Sequence, residues 1–419
     1  MAEYNNYFEK TLDFINIYQE LIDCHLVDFI TEKLWDKCLP EKLKSELENI
    51  NINDDIWMES NTSPELSSFI QLTRALSLES CPAVICVDDL LKLLPQVPSK
   101  EPLIKNKFID SKSQFMNTKK SYEIDVLGKI IAEMALSTHS LVIDAGAGKG
   151  YLSTYLSEHF DVPVLAIDSS QVCHKGAINR QEKIRKRKQS LTKTRYVVQE
   201  LDETTDYNKI VNTNYPDWSV NRNLILTGLH TCGMLVHSIM KASLYAKDIR
   251  LLFVVPCCYH LADESLSGRW IFSKNAKMLA QQSIERSRHK HLSPSLFYRA
   301  VLQIILHSMG YYNTKVGRGG PLDNFADYAK WALSKIGIDN KQIPSTCTLQ
   351  EIYQSHIHFE SKLRLFQILR IYTSSVVEAA IMLDKIIFLQ NNAQHSKIAI
   401  VRLFDPTVSP RCYAILMIK

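Results

Sequence analysis

A chain of 419 residues with 46% apolar residues has material for one large or two to three ordinary folded domains, which excludes a disordered or fibrous protein. Its net charge of +4 and pI near 8.4 are mild, so they neither demand nor exclude a polyanionic partner. Ten scattered cysteines make no disulfide framework, the N-terminus lacks a signal-peptide pattern, and the longest apolar stretch, 376–389, is interrupted by Glu378, Asp384 and Lys385. The expectation is an intracellular protein, cytoplasmic or nuclear, without a membrane segment.

Residues 1–115 have helical texture. Phe14, Ile15, Tyr18, Leu21 and Ile22 fall at helical spacing, as do Leu90, Leu91 and Leu94, and a polar turn-rich stretch at 51–64 reads as a loop between helices. From Ser121 the stripe Ile124, Leu127, Ile130, Ile131 and Met134 predicts a helix leading into a first strand at 141–144. Further strands are expected at 162–167, 195–199, 223–227 and 249–255, separated by helical segments, the alternation that builds a parallel sheet covered on both faces. The next 130 residues or so are helical again, with stripes through Phe297, Val301, Ile304 and Ile305 and through Phe366, Leu369, Val376, Ala380, Leu383 and Ile387. Strands at 397–403 and 411–418 around the turn Phe404-Asp-Pro-Thr-Val-Ser-Pro410 close the chain as a hairpin. The predicted architecture is α/β: a Rossmann-like, doubly wound, seven-stranded sheet with a terminal antiparallel hairpin. The divisions are a helical N-terminal region (1–115), the Rossmann-like core (116–260), a helical insertion or lid (261–395) and the hairpin completing the core sheet (396–419).

The first strand runs into Asp144-Ala-Gly-Ala-Gly-Lys-Gly150. A buried strand that turns at once into a helix needs φ > 0 and close ligand approach, which Gly146, Gly148 and Gly150 allow. Asp168 ends the next strand 24 positions after Asp144, where an acidic side chain can accept both hydroxyls of a ribose. The dinucleotide pattern G-x-G-x-x-G would need a third glycine at 151, which is Tyr151, and no P-loop sequence occurs. The spacing G-x-G-x-G suits S-adenosyl-L-methionine, which carries no pyrophosphate and whose sulfonium and α-ammonium favour a carboxylate such as Asp144. Ser169 and Asp202, near the second and third strand ends, are further candidates for ribose and adenine contacts. The competing reading is a strand-to-helix turn that binds nothing.

Two clusters follow later strands: Gly228-Leu-His-Thr-Cys-Gly233 after the fourth and Pro256-Cys-Cys-Tyr-His260 after the fifth. In an open α/β sheet both face the cleft of the glycine turn, bringing together His230, Cys232, Cys257, Cys258 and His260. His230 is the candidate base for methyl transfer; the alternative is a histidine that holds the loop or stacks near adenine. The cysteines are candidate nucleophiles for pyrimidine C5 chemistry, candidate zinc ligands, or small thiols lining a tight cleft. Adjacent cysteines and the missing C-x2-C spacing count against zinc, and the reading takes no metal. Adenine N6-methylases carry Asn/Asp-Pro-Pro-aromatic after the fourth strand, where this chain has Gly228-Leu-His-Thr231.

Lys119-Lys120, Asp144-x-Gly-x-Gly-x-Gly150, Thr227-Gly-Leu-His-Thr-Cys-Gly233, Cys257-Cys-Tyr-His260, Phe404-Asp-Pro and Ser409-Pro-Arg411 together resemble the methyltransferase-like protein 25 family, which includes the so-called ribosomal RNA adenine dimethylase domain proteins. The resemblance runs from about residue 110 to the C-terminus. The His-x-Cys-Gly and Cys-Cys pairing is also similar to that of eukaryotic tRNA ribose 2′-O-methylases, without their cysteine-rich finger. The resemblance implies a class I S-adenosylmethionine-dependent methyltransferase fold and leaves the acceptor open.

Between 183 and 195, seven of thirteen residues are Lys or Arg and none is acidic. Lys183, Arg185 and Arg187 are therefore candidate phosphate contacts, with Lys119 folding over the site; a solvated helix face and a nuclear localisation signal are the other readings of the run. The function expected is methylation of RNA, with protein as the second acceptor class and a non-catalytic scaffold that keeps the cofactor fold as the alternative.

Overall fold

A computed structural model describes residues 2–48, 63–94, 116–188, 193–216, 223–288, 293–317 and 319–419. Most of the loop expected at 51–64 lies outside them. No helix among the described residues is long and apolar enough to cross a membrane.

Among the described residues eight strands form one sheet: β1 (Val84–Ile85), β2 (Ser140–Ala145), β3 (Val164–Asp168), β4 (Thr194–Val198), β5 (Asn223–Cys232), β6 (Ile249–Cys257), β7 (Lys397–Arg402) and β8 (Tyr413–Ile418). Their order across the sheet is β1-β7-β8-β6-β5-β2-β3-β4. All neighbours pair parallel except β8, which runs antiparallel to both β6 and β7. The doubly wound sheet and terminal hairpin are those the sequence predicts, with one correction: the sheet has eight strands, not seven. The extra one, β1, falls in the region read as helical throughout. It has two residues, paired with Ile400 and Val401, and two residues carry no period for a sequence pattern to show.

The centre of the sheet is dry. Every residue of β2 is buried, as are Leu224, Ile225 and Leu226 of β5 and Leu252, Phe253 and Val254 of β6. Each fully buried aliphatic side chain stabilises the layer by roughly 1.5–3 kcal/mol, and near-continuous apolar runs are what a sheet covered on both faces requires. Helix α1 (Thr118–Thr138) leads into β2, its first turn capped by the Asn117 side chain accepting from the Lys120 amide at 2.8 Å. It packs against α2 (Tyr151–Phe160) at Gly128, where a Cβ would lie 2.5 Å from the Tyr155 ring. The phenol of Tyr155 donates to Asp125 at 2.7 Å across the same contact. These contacts set the start of α1 beside the glycine turn that opens α2.

A second correction concerns the motifs after the fourth and fifth strands. Gly228 to Cys232 and Pro256 to Cys257 are the last residues of β5 and β6 themselves, not loops beyond them. The register shifts between Gly228 and Thr231, then resumes with Thr231 opposite Pro256 and Cys232 opposite Cys257. The irregularity turns His230 into a left-handed conformation at φ 65°.

The chain divides into two compact units: residues 1–10, 78–281 and 378–419, which hold the sheet, and residues 11–77 and 282–377. Both draw on the N-terminal region and on the 261–395 segment. The second unit is helical among its described residues, with Phe29 edge-on to Phe366 at 5.3 Å and Arg370 capping the carbonyls of Leu21 and Ile22 at 3.1 and 3.0 Å.

Candidate active site

The strand order reverses at β2, whose neighbours are β3 and β5, so the crevice of this sheet opens at the carboxyl ends of β2 and β5. The glycine turn sits there. Gly146, Gly148 and Gly150 all have positive φ, between 56° and 71°. A Cβ on Gly146 would meet Leu235 at 2.8 Å and one on Gly150 would meet Tyr196 at 2.5 Å, whereas one on Gly148 would meet nothing within 4 Å. The outer glycines are needed for packing, and the middle one leaves its face open.

Asp168, at the end of β3, turns its carboxylate to this turn: one oxygen accepts from the Gly148 amide and the other from the Ser170 amide, both at 2.8 Å. Asp144 is 2% exposed and accepts from Ser153 at 2.5 Å. Burial pushes its carboxyl up to about 6, against the Ser153 hydrogen bond and with repulsion from Asp168. Ser169 is exposed beside Asp168. The Asp202 carboxylate is engaged in its own turn, accepting from the Thr204 amide at 2.9 Å and hydroxyl at 2.8 Å.

His230 faces the same crevice and is not alone. Its Nε2 lies 3.0 Å from Oε2 of Glu123, on the second turn of α1. The other Glu123 oxygen accepts from the buried Ser409 hydroxyl at 2.6 Å, and Lys119 stands 3.5 Å away. Burial pushes the Glu123 carboxyl up, but hydrogen bonds from His230 and Ser409 outweigh it and hold it below the usual glutamate value. An ionised carboxylate only accepts, so Nε2 carries the proton toward Glu123, and in the neutral imidazole Nδ1 is the nitrogen with the lone pair. The left-handed backbone of His230 fixes this aim at a cost of about 1–3 kcal/mol, the kind of strain that a functional site stores.

The three cysteines converge beside it. Sγ of Cys232 lies 3.0 Å from that of Cys257, which lies 3.8 Å from that of Cys258, and all three fall within 4.8 Å of one another. Cys258 is also left-handed, at φ 50°. Hydrogen bonds from Cys257 and Cys258 hold the Cys232 thiol below its ordinary value, while its two neighbours are pushed up. His260 stands apart from the thiols: Nδ1 meets Gln281 Nε2 at 2.7 Å, and Gln281 Oε1 accepts from Arg411 at 2.8 Å.

Cations gather on the outer side of the turn. Lys120 Nζ lies 3.9 Å and Arg180 Cζ 4.0 Å from the centre of the Tyr151 ring. Arg180 donates to the Gly150 carbonyl and to Thr154, and its Nη1 is buried without a hydrogen-bond partner among the described residues. Burial and the charges of Arg180 and Lys149 push Lys120 down. Helix α3 (Gln171–Lys188) carries the basic run and presents Lys183 to solvent; the side chains of Arg185 and Arg187 lie outside the described residues.

The sequence pattern therefore names the turn, His230 and the thiols but misses Glu123, Ser409 and Arg180. Glu123 shows only as a Lys119/Glu123 pair at helical spacing, Ser409 only as part of a turn, and Arg180 falls just before the basic window.

The methyltransferase-domain family model matches residues 119–265, an interval that takes in Lys119, Glu123, the glycine turn, His230 and all three thiols. Human probable methyltransferase-like protein 25 is 23% identical, over 97% of this chain and 96% of that protein, and its mouse counterpart is 22% identical, over 97% and 95%. The crystal structure of coclaurine N-methyltransferase with N-methylheliamine and SAH aligns over 98% of this chain and 99% of its own at 12% identity, with a TM-score of 0.26, too low to bear on chemistry. Residues 119–265 match the methyltransferase-domain family, and over nearly its whole length, beyond the span from about residue 110 that carries the motifs, the chain is similar to methyltransferase-like protein 25.

Proposed function

We propose that the chain transfers a methyl group from S-adenosylmethionine to RNA. The observation that carries the methyl-transfer reading is the juxtaposition, at neighbouring strand ends, of an open glycine turn with its carboxylate and a histidine held by a buried glutamate. The cradle fits the cofactor: Gly148 leaves room for close approach, and Asp144 and Asp168 repel one another where a sulfonium and an α-ammonium would relieve both. Each oxygen of Asp168 takes one amide hydrogen bond and keeps a second lone pair for a ribose hydroxyl. When bound, the cofactor supplies the electrophilic methyl carbon.

His230 Nδ1 takes the proton from the attacking oxygen or nitrogen, and Glu123 stabilises the imidazolium that results. Ser409 and Lys119 keep Glu123 ionised and in place. For the acceptor, support comes from charge. Lys120, Lys149 and Arg180 cluster at the rim with no ion pair to a carboxylate among the described residues, and Lys183 extends the field along α3, an array suited to phosphates.

The test incubates the protein with extract of cells lacking it and radiolabelled cofactor. Label in nuclease-sensitive, protease-resistant material is expected. Label in protease-sensitive material alone would replace RNA by protein as acceptor, and a chain with no affinity for S-adenosylmethionine or S-adenosylhomocysteine would be a scaffold.

A further inference from the structure

We propose that Cys232, Cys257 and Cys258 form a three-thiolate site for a single zinc ion, with its fourth position open to the crevice. The site does not depend on the methyl-transfer reading.

Thiolates held ~2.3 Å from one tetrahedral ion stand ~3.8 Å from each other. Cys257 and Cys258 already show that separation, 3.8 Å between Sγ atoms. Neighbouring residues on an extended chain point to opposite faces, the ordinary reason why adjacent cysteines do not share an ion. Here the strand ends at Cys257, and Cys258 enters the left-handed region at φ 50°, which brings its sulfur back beside that of Cys257. A non-glycine residue adopts that conformation at a cost, so something must over-determine it. Cys232 is brought in by β-pairing: it lies directly opposite Cys257 on the adjacent parallel strand, its Sγ at 3.0 Å need move outward by less than an ångström to reach that separation from Cys257, and all three sulfurs already lie within 4.8 Å of one another.

The surroundings match. Soft thiolate sets select zinc among the abundant divalent ions, and three protein ligands with one open position is the arrangement of sites that bind water or substrate. Three thiolates on a dication leave one net negative charge, and the Arg411 guanidinium acts on both Cys232 and Cys258. Arg411 is fixed in turn by the Gln281 side chain, which also meets His260. Among the described residues this is the only group of three or more His, Cys, Asp or Glu side chains so disposed.

The full chain, purified under reducing conditions without chelator, should carry one zinc per molecule by elemental analysis. After metal removal, cobalt(II) should restore an intense thiolate-to-metal absorption in the near ultraviolet at one equivalent. Cys232→Ser and Cys258→Ser should each lose both signals, while Cys86→Ser, an exposed thiol elsewhere, keeps them. Because Cys257 is buried and its replacement could unfold the strand end, the cobalt titration of the unsubstituted chain decides. Absence of zinc together with no cobalt band, in protein whose ten thiols all titrate as reduced, overturns the proposal, as does a Cys232–Cys257 disulfide that persists under those conditions. S-adenosylhomocysteine binding measured on the same preparation separates this outcome from failure of the methyl-transfer reading.

Discussion

His230 and Glu123 meet at 3.0 Å across 107 positions of sequence, one on an irregular strand end and the other on the helix that precedes the first core strand. The contact sets which imidazole nitrogen is free to act. His230→Ala should lower the rate of methyl transfer by roughly 10²–10⁴ and leave S-adenosylhomocysteine affinity unchanged. Glu123→Gln is the sharper test, because its amide can donate to Nε2 and so favour the tautomer with the proton on Nδ1. A comparable loss of rate is expected with the histidine still present. Single-turnover transfer and calorimetry on both variants decide it, and a Glu123→Gln enzyme at full rate would remove the dyad from the mechanism.

The glycine turn makes a contrast between two alanines. Gly148→Ala puts a methyl group into open space, so its folding cost is the left-handed backbone alone, about 1–2 kcal/mol, while the face needed by a ligand is blocked. Gly150→Ala drives a methyl into Tyr196 at 2.5 Å and should lower the melting temperature much further. Cofactor affinity should fall by tenfold or more in the first variant with only a modest thermal shift. Asp168→Ala should lower affinity as well, with a larger thermal shift, because it removes both the ribose contact, about 1.5–3 kcal/mol for a hydrogen bond to a charged group, and the acceptor of the Gly148 and Ser170 amides.

The unevenness of what the sequence reveals follows from range. The glycine turn, Asp168 and the alternation of strands and helices are local, with periods and spacings that show in a window of a few residues. Even there the strand ends are misjudged, because Gly228 looks like a terminus when it is the last paired residue before a register shift, after which Thr231 and Cys232 pair again. Glu123 and Ser409 are legible only in space: they stand 286 positions apart and share one hydrogen bond. The three-thiol cluster is half visible. The Cys-Cys dipeptide is plain, but its ability to converge depends on a left-handed Cys258 that no residue preference would suggest.

Asp144 gives a pH dependence of stability with an unusual sign. Its carboxyl is pushed up to about 6 by burial, from an ordinary value near 3.8, so the folded state holds the proton more tightly than the unfolded one. Its stabilising contribution is fully present below about pH 3.8 and is lost as pH rises through about 6, leaving the buried carboxylate unfavourable on the order of 2–3 kcal/mol at neutral pH. Asp144→Asn keeps an acceptor for Ser153 and carries no charge. Urea midpoints should place this variant above the unsubstituted protein at pH 7.5 and near it at pH 4. The opposite order at pH 7.5 would mean that the charged form is compensated within the protein alone.

The cations at the rim should declare themselves through salt. Lys120 and Lys149 flank the turn and Lys183 lies on α3, and each phosphate that such a group neutralises adds about 0.7–0.9 to the slope of log affinity against log salt for a nucleic acid, at the single-strand end of that range for unpaired RNA. Lys120→Ala, Lys149→Ala and Lys183→Ala should each weaken RNA binding and flatten that slope by roughly one contact, with the Lys120/Lys149 pair departing from additivity because the two charges act on each other. Arg180 is left in place, since it ties Gly150 to Thr154 and its loss would disturb the turn itself. An RNA affinity indifferent to salt, or a triple variant whose slope matches that of the unsubstituted chain, would mean that these charges face only water and that the acceptor is not held by its phosphates.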